Sequence, residues 1–420
     1  MQFSKWVTLG FSAFCLVVVA AVLRADHLYP MAGILITLPA VSYLMGWWSL
    51  RHLRFRRELP SLAWEGEETQ IIYSVTNPTK ISRFFLTIRE QVPGWMQFVD
   101  PEPPLFNVTA QDETRVAQRL VFRRRGVYRV ASFDVSALDP LGVFAFSQRV
   151  KSGGEQVVFP MPRHLESLPL TATEKNGWQE WTASALNGQS VSPDGVREYR
   201  QGDSLRRVHW RQTARTGRMS VIEFEEEQSV TLRVILDVSR IVVGTDEIDS
   251  PLEYLIRFAA SALYLATKQS ASASLRLSGA ITEGQDELQS LAAFSGRGET
   301  HLYEMLQVLA RVEVGQKSEL IAALDSEAVE SHLSASLLLL TTHLEEETVE
   351  TLIRLKQGGL SVHLIYCDPA TFPQSVRRLK TANNDPSLAR LGAAGIECFL
   401  LKFSTGGELF PERIGEIVNV

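Results

Sequence analysis

Cysteine is scarce in this chain. The 420 residues hold only Cys15, Cys367 and Cys398, with no CxxC pair and no zinc-ligand spacing, which argues against a disulfide framework and a cysteine metal centre. Cys367 closes an apolar run and Cys398 opens another, so both are expected as buried thiols. Eight histidines are dispersed without ligand spacing. GxGxxG, the P-loop pattern, HExxH and GxSxG are all absent, so the common nucleotide, zinc-protease and serine-hydrolase signatures are missing. A basic excess is missing too: 42 Lys and Arg against 48 Asp and Glu give a net charge of −6 and a pI near 5.9. Whole-chain attraction to nucleic acid is therefore not expected.

Apolar residues are plentiful and unevenly placed. Composition is ordinary for globular chains, and the length corresponds to two or three domains. Trp6 to Leu23 carries no charged residue, and after Arg24-Ala25-Asp26-His27, Leu28 to Leu50 carries none either. Each run is long enough to cross a bilayer, which takes about 20 helical residues. A cleavable signal peptide is the rival reading of the first run, since Lys5 precedes it and Ala20-Ala21 are small. Against that, the start is weakly basic and a second run follows after four residues, as in a helical hairpin. Arg51, Arg54, Arg56 and Arg57 follow the second run and predict a basic cytoplasmic flank, with both termini and the soluble part in the cytosol. Trp6, Tyr29, Trp47 and Trp48 near the ends suit the interface.

Residues 58–160 read as an all-β module of the small, Ig-like sandwich kind. Gln70 to Thr76, Phe84 to Ile88, Arg115 to Phe122, Val127 to Val135 and Val143 to Val150 are strand-like, and Asn77-Pro78, Pro93-Gly94, Arg125-Gly126 and Asp139-Pro140 are turn chemistry. Residues 161–195 lack a period and read as a connector, with Trp178 and Trp181 expected to dock it onto a domain, the alternative being a contact surface.

Residues 228–420 alternate strand and helix patterns. Val230 to Val238, Ala273 to Leu277, Leu337 to Leu340, Val362 to Tyr366 and Glu397 to Leu401 read as strands; Leu252 to Thr267, Asp286 to Phe294, Leu302 to Val312 and Glu345 to Gln357 read as helices. Alternation of this kind predicts a doubly wound parallel sheet covered on both faces.

Between these parts, at residues 196–227, lies a dense arginine segment. Arg197, Arg200, Arg206, Arg207, Arg211, Arg215 and Arg218 fall within it and lysine is absent. Arginine offers a planar fork for bidentate contacts, so the choice points to fixed geometry. Two readings stand side by side. In one, Arg197, Arg200, Arg207 and Arg215 with Tyr199 and Trp210 form an exposed surface for an acidic partner segment or a phosphate. In the other, Glu198 and Asp203 pair with some arginines, Gly202 permits a turn, Asp203 caps a short helix that Gly217 ends, and Glu223, Glu225, Glu226 and Glu227 take the rest as a clamp. The clamp is favoured, and both hold if some arginines face inward and others outward.

The apolar hairpin, RRRGVYRV (Arg123 to Val130), LDPLGVF (Leu138 to Phe144), and REYRQGD through HWRQTARTG (Arg197 to Gly217) together resemble the domain of unknown function 58 family. That resemblance implies a von Willebrand factor A-like α/β C-terminal domain, a bacterial inner-membrane location, and partnership with a MoxR-type AAA+ ATPase, often beside a transglutaminase-like membrane protein. It implies an accessory role. The metal-dependent form of such a domain carries Asp-x-Ser-x-Ser after its first buried strand. Here Asp237 and Ser239 match, but Ile241 offers no oxygen, and Thr341-Thr342-His343 stands where Asp-Gly is usual. A degenerate site and no cofactor are therefore expected, Mg²⁺ included. Asp237 is instead expected to accept hydrogen bonds from nearby backbone or arginine groups. The expected function is a membrane-anchored cytosolic adaptor without catalytic residues; the alternative is a phosphate-handling or hydrolytic enzyme using Arg207, His209 and Asp237.

Overall fold

The computed structural model describes residues 2–23, 28–90, 94–142, 144–163, 165, 193–198, 210–224, 231–238, 250–278, 293, 295–313, 320–330, 335–372, 385–404 and 411–413. They divide into two compact units, Met1–Phe159 and Pro160–Val420.

The first unit opens with helices α1 (Gln2–Leu23) and α2 (Leu28–Ser49), which pack on each other. α2 is long and apolar enough to cross a membrane, whereas the apolar helical stretch found in α1 is the shorter Gly10–Val19. Nine strands follow among the described residues: β1 (Arg54–Glu58), β2 (Ala63–Trp64), β3 (Glu68–Thr76), β4 (Arg83–Glu90), β5 (Met96–Phe98), β6 (Leu105–Val108), β7 (Glu113–Phe122), β8 (Gly126–Leu138) and β9 (Ala145–Phe159). They form a four-stranded sheet in the order β1-β3-β7-β5 and a five-stranded sheet in the order β2-β9-β8-β4-β6. All these pairings are antiparallel except β2 with β9. Period-2 alternation drives this arrangement: along β7, Val116, Leu120 and Phe122 turn inward while Arg115 and Arg119 stay in solvent. Tyr73, Leu120 and Phe122 from one sheet meet Ile88, Phe133 and Val135 from the other in a single core.

The β module begins earlier than expected: β1, inside the basic flank, joins the sheet, and its alternation sends Arg57 inward. Its guanidinium bonds Glu90 Oε1 at 2.7 Å and the Val130 carbonyl at 2.6 Å, and also reaches the Ser152 carbonyl. Tyr73 donates to the other Glu90 oxygen. Burial pushes the Glu90 carboxyl up, against the opposing pull of Tyr73 and Arg57.

In the second unit β10 (Pro193–Glu198) pairs antiparallel with β11 (Ser220–Phe224), and the short helix α3 (Trp210–Thr216) precedes β11. The 193–195 part of the expected connector is thus strand; residues 166–192, with Trp178 and Trp181, lie outside the described residues. Next come β12 (Thr231–Asp237), α4 (Pro251–Lys268), β13 (Ser272–Ser278), α5 (Glu299–Arg311), α6 (Leu320–Glu330), β14 (Ala335–Thr341), α7 (Glu346–Gln357), β15 (Ser361–Cys367), α8 (Pro386–Ala393), β16 (Glu397–Leu401) and β17 (Pro411–Arg413). The helical pattern at 286–294 lies, apart from residue 293, outside the described residues. The sheet order is β13-β12-β14-β15-β16-β17, parallel except for β17 at the edge.

The apolar runs explain the layering. Ile235, Leu337, Leu339 and Leu364 meet Leu324, Leu352 and Leu391 from α6, α7 and α8 in one core. The alternating Val234, Leu236, Leu338 and Leu340 are equally buried and turn the other way, and α4 runs across β12 to β15. Strands buried on both faces read as continuous hydrophobic runs. Ser250 caps α4, its hydroxyl accepting the Glu253 N–H at 3.3 Å, and Pro251 takes the first turn.

Candidate functional site at the carboxyl edge of the sheet

The strand order places β13 on one side of β12 and β14 on the other, so the chain reverses its winding between β12 and β14. Crevices at such reversals, outside the carboxyl ends of the strands, are where open α/β sheets hold ligands. Asp237 ends β12 and Thr341 ends β14. Thr341 Oγ1 lies 2.8 Å from Asp237 Oδ2 and 2.8 Å from the His343 carbonyl, and it accepts the His343 N–H at 3.1 Å. Asp237 is only 6% exposed.

Two further groups lie on this edge. Ser278, opposite Asp237 in the β12–β13 register, is fully buried, and its hydroxyl has no hydrogen-bond partner among the described residues. Asp368, after β15, accepts the Ala370 N–H at 2.9 Å and caps the 3-10 turn Pro369–Thr371. The thiols are poorly suited to nucleophilic chemistry: burial pushes Cys367 far up, and burial with the Glu397 charge pushes Cys398 up to about 12.

Asp237 and Thr341 bring two oxygens together, Ile241 brings none, and among the described residues no three His, Cys, Asp or Glu side chains cluster as metal ligands. Ser239 and Ile241 lie outside the described residues. The Thr341 contact was not anticipated from sequence. A polar residue closing an otherwise apolar run at Leu337 to Leu340 was its available signal.

The arginine segment is described in part. Arg197 and Glu198 lie in β10, paired with Val221 and Ser220. Tyr199, Arg200, Gly202, Asp203, Arg206, Arg207 and His209 lie outside the described residues, as do Glu225, Glu226 and Glu227. Trp210 begins the described part of α3 and is 66% exposed, with Arg211 and Arg215 also exposed. Gly217 ends the helix at φ +69, its N–H bonding the Thr213 carbonyl at 2.9 Å, a left-handed conformation that favours glycine. A concavity that sequence alone did not indicate lies on the β module, about 430 Å³ in volume and lined by Phe98, Pro101, Pro103, Pro104 and Arg119 among others.

Residues 195–371 match the model of the family described as "Protein of unknown function DUF58". The match covers both the arginine segment and the Asp237–Thr341 edge. No curated protein matches the chain. Solved structures give distant likenesses. Trypsin-activated alpha-2-macroglobulin from Escherichia coli is 16% identical over 26% of this chain and 7% of that one, with a TM-score of 0.21. A mutant alpha-2-macroglobulin from Salmonella is 12% identical over 74% and 16%, with a TM-score of 0.20. A GH20 exo-β-N-acetylglucosaminidase from Vibrio harveyi is 10% identical over 75% and 57%, with a TM-score of 0.16. The chain thus spans only 7% and 16% of the length of the two macroglobulins.

Proposed function

We propose that this protein is a membrane-anchored cytosolic adaptor whose α/β domain, of the von Willebrand factor A-like kind, binds a protein partner. The observation that carries the reading is the display of Trp210 with Arg211 and Arg215 on α3, inside the segment that matches the family. Tryptophan and arginine are enriched in interface hot spots, so an exposed Trp beside two exposed arginines suits a partner contact. The anchor is supported by α2, apolar all round with Ile34, Ile36, Leu38, Val41 and Leu44 turned outward. α1 completes a two-span hairpin that keeps both termini and the soluble domains in the cytoplasm of a bacterial inner membrane. The family resemblance supplies the partner, a MoxR-type AAA+ ATPase, with a transglutaminase-like membrane protein as a further member of the assembly. Asp237 and Thr341 organise the carboxyl edge of the sheet, and no bound metal or nucleotide is required.

Capture from solubilised native membranes tests this. With the full-length chain as bait and with or without ATP, mass spectrometry is expected to identify an AAA+ ATPase, and a Trp210→Ala, Arg215→Ala double variant is expected to lose it. Absence of any such ATPase in both nucleotide conditions contradicts the partner assignment and moves phosphatase and hydrolase assays on Arg207, His209 and Asp237 to the front.

A further inference from the structure

We propose that the tip of the β8–β9 hairpin, Leu138 to Gly142 with Phe144, is itself immersed in the bilayer alongside α2, so that lipid acyl chains contact the β module directly. The inference rests on α2 being a membrane span.

α2 is fastened to the hairpin along its own length. Ser42 Oγ donates to Asp139 Oδ2, and the Tyr43 ring stacks edge-on against Phe144 at 5.1 Å and Phe146 at 5.2 Å. A Cβ at Gly46 would lie 2.7 Å from the Phe146 ring, so glycine is what permits the approach. Further along, Arg83, only 4% exposed, lies with its guanidinium 5.6 Å from the Trp48 ring.

These contacts fix the depth. Twenty-two helical residues span about 33 Å at 1.5 Å each, only slightly more than the hydrocarbon thickness of about 30 Å. Ser42 precedes the helix end at Ser49 by about 10 Å on the same rise. Even with the whole excess of about 3 Å protruding on this side, the Ser42 contact stays about 7 Å below the hydrocarbon boundary. The residue it holds, Asp139, is therefore at acyl-chain depth, while Trp48 and Arg83 lie at the interface.

The tip is built for that environment. Backbone polar groups in hydrocarbon must be satisfied internally. The Asp139 N–H bonds the Phe144 carbonyl at 3.1 Å and the Gly142 N–H bonds the Asp139 carbonyl at 2.9 Å. The Asp139 carboxylate accepts the Leu141 N–H at 3.2 Å and the Phe144 N–H at 2.6 Å, and Pro140 has no N–H to satisfy. Asp139 is 2% exposed, whereas Leu138 and Leu141 are 38% and 42% exposed. Polar groups face in and leucines face out, the reverse of an aqueous turn. The same end of the sheet carries exposed Ile81, Phe84 and Phe85 next to Arg83, so the apolar rim continues at interface level.

Full-length protein carrying Leu141→Cys, Ile36→Cys on α2 or Arg129→Cys on an exposed strand is labelled with bimane and reconstituted in phosphatidylcholine vesicles. Wild-type labelling is subtracted; Cys367 and Cys398 are buried and contribute little. Leu141→Cys and Ile36→Cys labels are expected to be quenched several-fold more by an acyl-chain nitroxide lipid than by aqueous iodide, with Arg129→Cys showing the reverse. If Ile36→Cys is quenched by the lipid but Leu141→Cys is quenched by iodide, or by neither because protein covers it, the immersed tip is overturned and the anchor stands. If Ile36→Cys is quenched by iodide, the anchor fails and the inference fails with it.

Discussion

The two units bury charged and polar groups for different ends. In the first, Arg57–Glu90–Tyr73 ties β1 to β3, β4 and β8, and Asp139–Ser42 ties α2 to a hairpin; each pair joins elements distant in sequence and closes a gap between them. In the second, Arg233 from β12 meets Glu327 from α6 at 2.5 Å and fastens helix to sheet in the same way, whereas Asp237 and Thr341 meet at the carboxyl edge, between β12 and β14 where the strand order reverses. Polar burial that fastens is expected to carry stability. Polar burial at a strand-order reversal is expected to carry recognition, and mutations separate the two.

The largest effect belongs to Arg57→Ala. Removing one partner of a buried ion pair leaves the other charge uncompensated, a loss of about 3–5 kcal/mol. Chemical denaturation of the full chain in detergent is expected to show it, and a loss below about 1 kcal/mol would place Arg57 with surface pairs. Asp139→Ala comes next, since the Leu141 and Phe144 N–H groups and the Ser42 hydroxyl lose their acceptor, at about 1–3 kcal/mol for a buried donor left unpaired. At the carboxyl edge the effect is smaller: a double-mutant cycle of Asp237→Ala and Thr341→Val is expected to give a coupling of about 1 kcal/mol.

The pH dependence sharpens the fastening side. Burial raises the Glu90 carboxyl, so its contribution is fully present below the ordinary carboxylate range and is lost as pH rises through the raised value. Wild-type stability relative to Glu90→Gln is thus expected to fall from acid to neutral pH. A rise would mean that Arg57 and Tyr73 outweigh burial.

How much of this was legible in the sequence follows from what each signal depends on. The strands β12, β14, β15 and β16 are apolar runs buried on both faces, and the expected boundaries differ from the observed ones by two residues at most. The strands β3, β7 and β8 were likewise visible as β-branched and aromatic runs between turns. β1 was not, because RFRRE looks like a basic flank until pairing with β3 supplies the alternation, and a charged residue is not recognisable as buried before its carboxylate partner is known. α6 and α8 were missed as well; their burial depends on contacts with the sheet. In the candidate site, Asp237 was singled out by the family resemblance at the end of a buried strand, whereas Thr341, 104 residues away, became its neighbour only through parallel pairing of β12 with β14. The depth of Asp139 was hidden for the same reason: nothing in LDPLGVF announces Ser42.

The smallest stability effect and the most direct test coincide on α3. Thermal unfolding and quantitative capture of the AAA+ ATPase are to be measured on the same preparations of wild type and an Arg211→Ala, Arg215→Ala variant. Exposed substitutions normally shift stability by less than about 0.5 kcal/mol, so unfolding is expected to be unchanged while capture is lost. A variant that unfolds early, or that captures the ATPase as well as wild type, contradicts the assignment of these arginines to recognition.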